Sequence, residues 1–137
     1  MLIDNQRDLE KNLNLISNII ITENSFSKNR LNLLKDLYSE LKLLRSNFEA
    51  ISLSLYLRSI LKINFLEKYP RNAFGLGLVV HYGPGNLPIN SIYSWITGFI
   101  CGNINVVRSS TKTTIQQLEI IKLVSSLCIK NSFLDIF

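Results

Sequence analysis

GLGLVVHYGPGNLPINSIYSWITGFICGNINVVRSSTKTT, Gly75–Thr114, is the stretch that decides the fold. It opens with β-branched and aromatic residues in a short run, so Gly77–Tyr82 reads as a strand. The turn GPGNLP follows and crowds together Pro84, Gly85, Asn86 and Pro88, more turn chemistry than a simple reversal needs. INSIYSWITGFICGN reads as a helix, with Asn90 or Ser91 near its start and Gly102 beyond its end, where a glycine terminates a helix well. INVVRSS is a second short strand. TKTTIQQLEIIKLVSSLCIK is a second helix, with Leu118, Ile121 and Val124 on one face, and FLDIF reads as the start of a third strand. Alternating strands and helices with short links predict parallel βαβ units.

Upstream of this stretch the periodicity is helical. Leu9, Leu13, Ile16, Ile19 and Ile20 recur at three- and four-residue steps, which predicts an amphipathic helix over Asp4–Ile21. Ser27 is the expected N-cap of the next helix, which begins KNRLNLLKDLYSELKLL. Leu34, Leu37, Leu41, Leu44, Phe48 and Ile51 form a heptad-like stripe that suits either a coiled-coil seam or, for so short a run, packing within the domain. SLSLYLRSILKINFLEKY continues as helix to Pro70, which marks a boundary. The expected class is therefore α/β: a helical N-terminal segment, residues 1–70, then the start of an open parallel sheet, residues 71–137.

Composition narrows the function. A hydrophobic content of 47% excludes a disordered tail. The formal charge of +5 comes from 15 basic and 10 acidic residues without a dense basic block, so nucleic acid is not an expected partner. Cys101 and Cys128 have no CxxC partner and no nearby His-Cys cluster, which argues against a metal centre or a disulfide framework. Each reads as a buried, inert thiol, and Trp95 reads as core. MLIDNQRDLEKN lacks the cationic start of a signal peptide, and Ile89–Cys101 is shorter than the ~20 apolar residues of a membrane span. A cytoplasmic protein is expected.

In an open parallel sheet, ligands gather at the carboxyl ends of the strands. GPGNLP and RSSTKT are the two loops there. Neither common phosphate motif fits: Gly75 and Gly77 precede the strand, and GxxxxGK[ST] is absent. Periodicity alone leaves an α/β domain of nucleotide-binding type with its ligand open. Asn86 on these grounds is either a functional amide or a residue tolerant of an unusual turn dihedral. Arg108 is either a ligand contact or a solvated strand end. His81, the single histidine, reads as structural or pocket-lining, with no Ser or Cys evidently placed for it to activate.

GLVVHYGPGNLP followed by YSWITGFICGNINVVRSS resembles the aldehyde dehydrogenase superfamily: a strand ending in P-x-N-x-P, a helix, then G-N-x-x-x-x-[KR] on the second strand. Within it, His81, the pair Tyr93-Ser94 and Gly102-Asn103-Ile104-Asn105-Val106-Val107-Arg108 resemble the long-chain acyl-CoA reductase (LuxC) family of bacterial luminescence. These motifs cover less than a third of the chain.

The resemblance implies an aldehyde dehydrogenase-like cofactor-binding domain, here incomplete, and reduction of long-chain acyl-CoA to fatty aldehyde through a cysteine thioester. It assigns Asn86 as the catalytic oxyanion donor, a preorganised amide aimed at developing negative charge. It places Tyr82, Gly83, Pro84 and Gly85 beside the cofactor; Gly85 replaces a bulky aromatic and leaves a roomier pocket. Arg108 takes the place of a lysine that reaches the adenosine ribose. Ser110 and Thr111 would lie beside the cofactor, with Thr111 where NAD-preferring relatives carry a glutamate. A guanidinium suits a 2′-phosphate, so NADPH (NADP) is the expected cofactor. Ser109, Ser110 and Lys112 would contact phosphate or cap the next helix.

Acyl-CoA or acyl-protein is the implied substrate, and a homo-oligomer or a fatty-acid reductase complex the implied assembly. The family's nucleophilic cysteine and its glycine-rich cofactor loop have no counterpart in these residues. A fragment is expected, one without acyl-CoA-dependent NADPH oxidation of its own. The alternatives are an NAD(P)-dependent aldehyde dehydrogenase fragment and a non-catalytic helical interaction module.

Overall fold

The computed structural model describes residues 10–11, 25–63, 74–82, 89–108 and 112–137. Among these the element order is α1 (Lys28–Leu41), α2 (Phe48–Leu61), β1 (Leu78–Tyr82), α3 (Asn90–Ile100), β2 (Ile104–Arg108) and α4 (Ile115–Lys130). Of the helix expected over Asp4–Ile21, only Glu10 and Lys11 are described, both helical. The boundary at Pro70 lies outside the described residues, as do the turn residues 83–88 and residues 109–111.

β1 and β2 pair in parallel, with Leu78 opposite Ile104 and Tyr82 opposite Arg108. α3 is the crossover between them, so the expected βαβ unit forms. Gly102, just past α3, takes a φ of 92°, the left-handed conformation that lets a helix stop within one residue. The expected third strand shrinks to a single parallel bridge between Val106 and Ile136. Ile136 N donates to Asn105 O at 2.8 Å, and Val107 N donates to Ile136 O at 2.7 Å.

The leucine stripe does not run through one helix. Leu34, Leu37 and Leu41 are buried in the core, the packing within the domain that the shortness of the run favoured. Beyond them the chain leaves the helix at Lys42, and Phe48 and Ile51 end up exposed. The break has a local cause. The Asn47 carboxamide accepts from Ala50 N at 3.0 Å and so caps α2, while its own amide donates to Gln116 O at 3.0 Å and to the Glu119 carboxylate at 2.9 Å. A polar residue that satisfies a helix start and a neighbouring helix at once outweighs continuation of a short apolar pattern. Ala50, Leu53 and Leu57 then form the buried side of α2.

Ser27 caps α1 as expected, accepting from Arg30 N at 3.4 Å. α3 begins at Asn90, as expected, though without a side-chain cap. α4 begins at Ile115, capped by Thr114 rather than by Ser109, Ser110 or Lys112: Gln117 N donates to Thr114 Oγ1 at 3.3 Å and Thr114 N donates to Gln117 Oε1 at 2.9 Å. This reciprocal capping box supplies two backbone donors with partners from the helix's own first turn. On α4, Ile121 and Val124 are buried with Gln117, Ile120, Leu127 and Cys128, whereas Leu118 sits at the margin of that face and is 42% exposed.

One core joins the helices upstream of β1 to the α/β unit. It holds Leu33, Leu37 and Leu53 together with Trp95, Phe99, Ile120 and Val124, all fully buried. The join is polar as well as apolar, because α3 leaves its last carbonyls without helical partners. Arg30 Nη1 donates to Phe99 O at 2.7 Å and to Asn103 O at 2.9 Å. Phe26 N donates to Ile100 O at 2.7 Å, and Ser25 Oγ donates to Cys101 O. The start of α1 thus caps the end of α3.

Candidate functional site

The carboxyl edge of the sheet is set by the register. Tyr82 and Arg108 close β1 and β2 side by side, both exposed, with the guanidinium carbon 5.9 Å from the centroid of the tyrosine ring. The alternation of a strand explains Tyr82: Leu78, Val80 and Tyr82 share an exposed face, while His81 points into the protein. A planar cation beside a flat ring, at the mouth of two parallel strands, suits an anionic, aromatic ligand. Of the residues expected to form the site, these two are brought together. Asn86, Gly83, Pro84, Gly85, Ser110 and Thr111 lie outside the described residues.

Behind this edge lies a polar chain that the sequence did not disclose. His81 Nδ1 is 2.7 Å from Ser94 Oγ, and its Nε2 is 2.9 Å from Asn105 Oδ1. Asn105 is fully buried; its side-chain amide donates to the Asp135 carboxylate and, at 3.2 Å, to Asn103 O. Asp135 Oδ1 also accepts from Trp95 Nε1 at 3.0 Å and from Asn105 N at 3.1 Å. Burial pushes the Asp135 carboxyl above its usual range, while hydrogen bonds from Asn105 and Trp95 and the charge of Arg30 pull the other way.

The chain fixes a tautomer. Because the Asn105 amide nitrogen is committed to Asp135 and Asn103, its oxygen is the atom facing His81. His81 Nε2 must then carry a proton, and in the neutral ring Nδ1 accepts from the Ser94 hydroxyl. The expectation that no serine or cysteine stands where His81 could activate it is therefore wrong. Thirteen residues separate His81 from Ser94, and only the packing of α3 on β1 brings them together.

Gly98 shows how tightly this chain is packed. A Cβ at that position would overlap Asn105 Oδ1 and come within 3.1 Å of the imidazole Cε1 and Nε2 of His81. Alanine is intrinsically better than glycine inside a helix by about 1 kcal/mol. Gly98→Ala should nevertheless destabilise by about 1–3 kcal/mol, since overpacking displaces a buried hydrogen-bonded pair. Urea unfolding followed by circular dichroism checks this; a variant as stable as the parent would refute the close approach.

Cys128 is buried, as expected, whereas Cys101 is only half-buried. Burial pushes the Cys101 thiol up, and burial together with the nearby Asp135 pushes Cys128 much further. A reactive cysteine needs the opposite shift, toward thiolate. Trp95 is core, as expected, stacked on Phe99 at a centroid separation of 5.0 Å. Among the described residues no group of three or more His, Cys, Asp or Glu gathers as a metal site, and no helix is long and apolar enough to cross a membrane.

The acyl-CoA reductase (LuxC) family model matches residues 6–132. No curated protein and no solved structure matches the chain. The family match extends well beyond the motifs of Gly75–Thr114, through α1 and α2 and through α4. On that span, the chain belongs to the acyl-CoA reductase (LuxC) family.

Proposed function

We propose that the chain is part of an NADPH-dependent reductase that converts long-chain acyl-CoA to fatty aldehyde through a cysteine thioester, with an aldehyde dehydrogenase-like cofactor-binding domain. The observation that carries this reading, beside the family match, is the pairing of Tyr82 with Arg108 at the carboxyl edge of two parallel strands. NADPH, when bound, supplies the hydride. Arg108 holds phosphate oxygens with its forked donors, and Tyr82 offers an exposed ring beside them. Asn86 acts as the oxyanion donor, with Gly83, Pro84, Gly85, Ser110 and Thr111 completing the cofactor's surroundings.

The nucleophilic cysteine lies outside these 137 residues, a reading supported by the raised thiols of Cys101 and Cys128. The exposed face of β1 supports a partial domain too. Leu78 is 45%, Val80 49% and Tyr82 72% exposed, whereas parallel sheets are normally covered on both sides. The substrate is acyl-CoA or an acyl-protein, and the setting a cytoplasmic homo-oligomer or fatty-acid reductase complex.

Fluorescence titration of the chain with NADPH and with NADH tests the cofactor assignment. Arg108→Ala should weaken NADPH about 10- to 100-fold, the worth of a charge-assisted hydrogen bond, and NADH far less. Equal losses for both nucleotides would remove Arg108 from the 2′-phosphate.

A further inference from the structure

We propose that Ser94 is a nucleophilic hydroxyl, activated by His81, that accepts an acyl group from an acyl thioester. Ser94 is exposed on α3, while the imidazole behind it is buried and held from its far side. A serine hydroxyl is a poor nucleophile until a base within hydrogen-bond reach takes its proton. The 2.7 Å separation from His81 Nδ1 meets that condition, and the tautomer imposed by Asn105 leaves Nδ1 with its lone pair facing the hydroxyl.

The third member of the arrangement is Asn105. Its oxygen accepts a hydrogen bond from Nε2–H, 2.9 Å from the nitrogen, keeps the ring from rotating, and faces the positive charge that develops when the ring is protonated. Asp135 and Asn103 O in turn hold Asn105 in place. Serine, histidine and an orienting amide thus lie in one line from solvent to core, with the nucleophile on Nδ1 and the orienting group on Nε2.

Ser94 Oγ attacks the carbonyl carbon of the thioester. The new C–O bond forms, the C–S bond breaks, and the proton travels from Oγ to His81 Nδ1 and then to the departing thiolate. The products are an O-acyl serine and a free thiol, with no net oxidation or reduction. The choice of a thioester as donor rests on the acyl-CoA reductase reading; the activation of Ser94 rests on the geometry alone.

The test uses the 137-residue chain with two probes, neither of which contains a nucleotide. A fluorophosphonate should modify Ser94, located by peptide mass spectrometry, about 100-fold faster than the exposed Ser39 and Ser126. Incubation with an S-acyl N-acetylcysteamine should release one thiol per chain and leave the acyl group on Ser94. Both signals should vanish in Ser94→Ala, whose folding is verified by urea unfolding because His81 Nδ1 loses its partner there, and fall at least tenfold in His81→Gln. Should His81→Gln fail to fold, the comparison of Ser94 with Ser39 and Ser126 in the parent still decides. Labelling of Ser94 no faster than those serines overturns the activation. Fast labelling without thiol release overturns the acyl-acceptor role. Failure of NADPH to bind would change neither result, so the two readings fail separately.

Discussion

Arg30→Ala should lower the unfolding free energy by about 3–5 kcal/mol, the usual cost of removing one member from a buried charged network. In a chain of this size that is a drop of roughly 10–20 °C in Tm. Arg30 is only 2% exposed, yet it sits in the first turn of a helix otherwise open to solvent on one side. Its guanidinium caps the carbonyls of Phe99 and Asn103 and lies 4.7 Å from the ring centroid of Phe99 and 5.1 Å from that of Phe133. A cation at the carboxyl end of α3 also meets the negative end of the helix dipole. Truncation takes one donor from each of two buried carbonyls, uncovers two aromatic faces and removes a positive charge that favours ionised Asp135. Arg30→Met, which keeps the apolar stem, should recover part of the loss and so separate packing from polarity. Urea titration of all three chains measures this. A loss below about 1 kcal/mol for the alanine variant would show that the upstream helices are only loosely joined to the βαβ unit.

Asp135→Ala should cost a similar amount, about 3–5 kcal/mol, because three donors converge on one carboxylate oxygen. Trp95 Nε1, Asn105 N and the Asn105 side-chain amide would all lose their acceptor, and with Asn105 loosened the orientation of His81 would go too. Asp135→Asn keeps an acceptor oxygen and removes the charge, so it isolates the electrostatic part. Burial raises the carboxyl pKa of the folded state above the ordinary 3.8. A group raised in this way binds its proton more tightly when folded. Its contribution is therefore complete at pH values below the unfolded pKa and declines as pH rises through the folded pKa. The stability difference between parent and Asp135→Asn should shift in favour of the variant as pH rises above about 4. Urea unfolding of both at a series of pH values decides it; a difference that moved the other way would mean that the donors and Arg30 outweigh desolvation.

The local punctuation of this chain was legible to within a residue or two. Strand Gly77–Tyr82 was expected and Leu78–Tyr82 is found; the helix ending before Gly102, the strand INVVR and the Ser27 cap also appear where expected. These features depend on neighbours within a turn or so, which a linear reading can weigh. The stripe from Leu34 to Ile51 misled because its period could not show that Asn47 has two partners in another helix. FLDIF misled in degree, since a run rich in apolar residues does not say how many ladder bonds it will find.

The site divides along the same line. Tyr82 and Arg108 could be named from the family resemblance; the alternation of elements predicted only that parallel strands with short crossovers bring their carboxyl ends to one edge, where the two residues do lie side by side. The roles of Ser94, Asn105, Asp135 and Arg30 could not be named in either way. An exposed serine, an asparagine within a strand, an aspartate near the end of a run and an arginine in a leucine-rich helix each look ordinary alone.

What the sequence by itself determined is the order and type of the elements and the family to which they point, because both are written in short-range pattern. What only the tertiary structure decided is which polar groups are buried together. A buried donor or acceptor costs a few kcal/mol without a partner, so its identity is set by whatever distant residue packs within about 3 Å of it. That distance exists only once α3 lies on β1 and the start of α1 caps the end of α3.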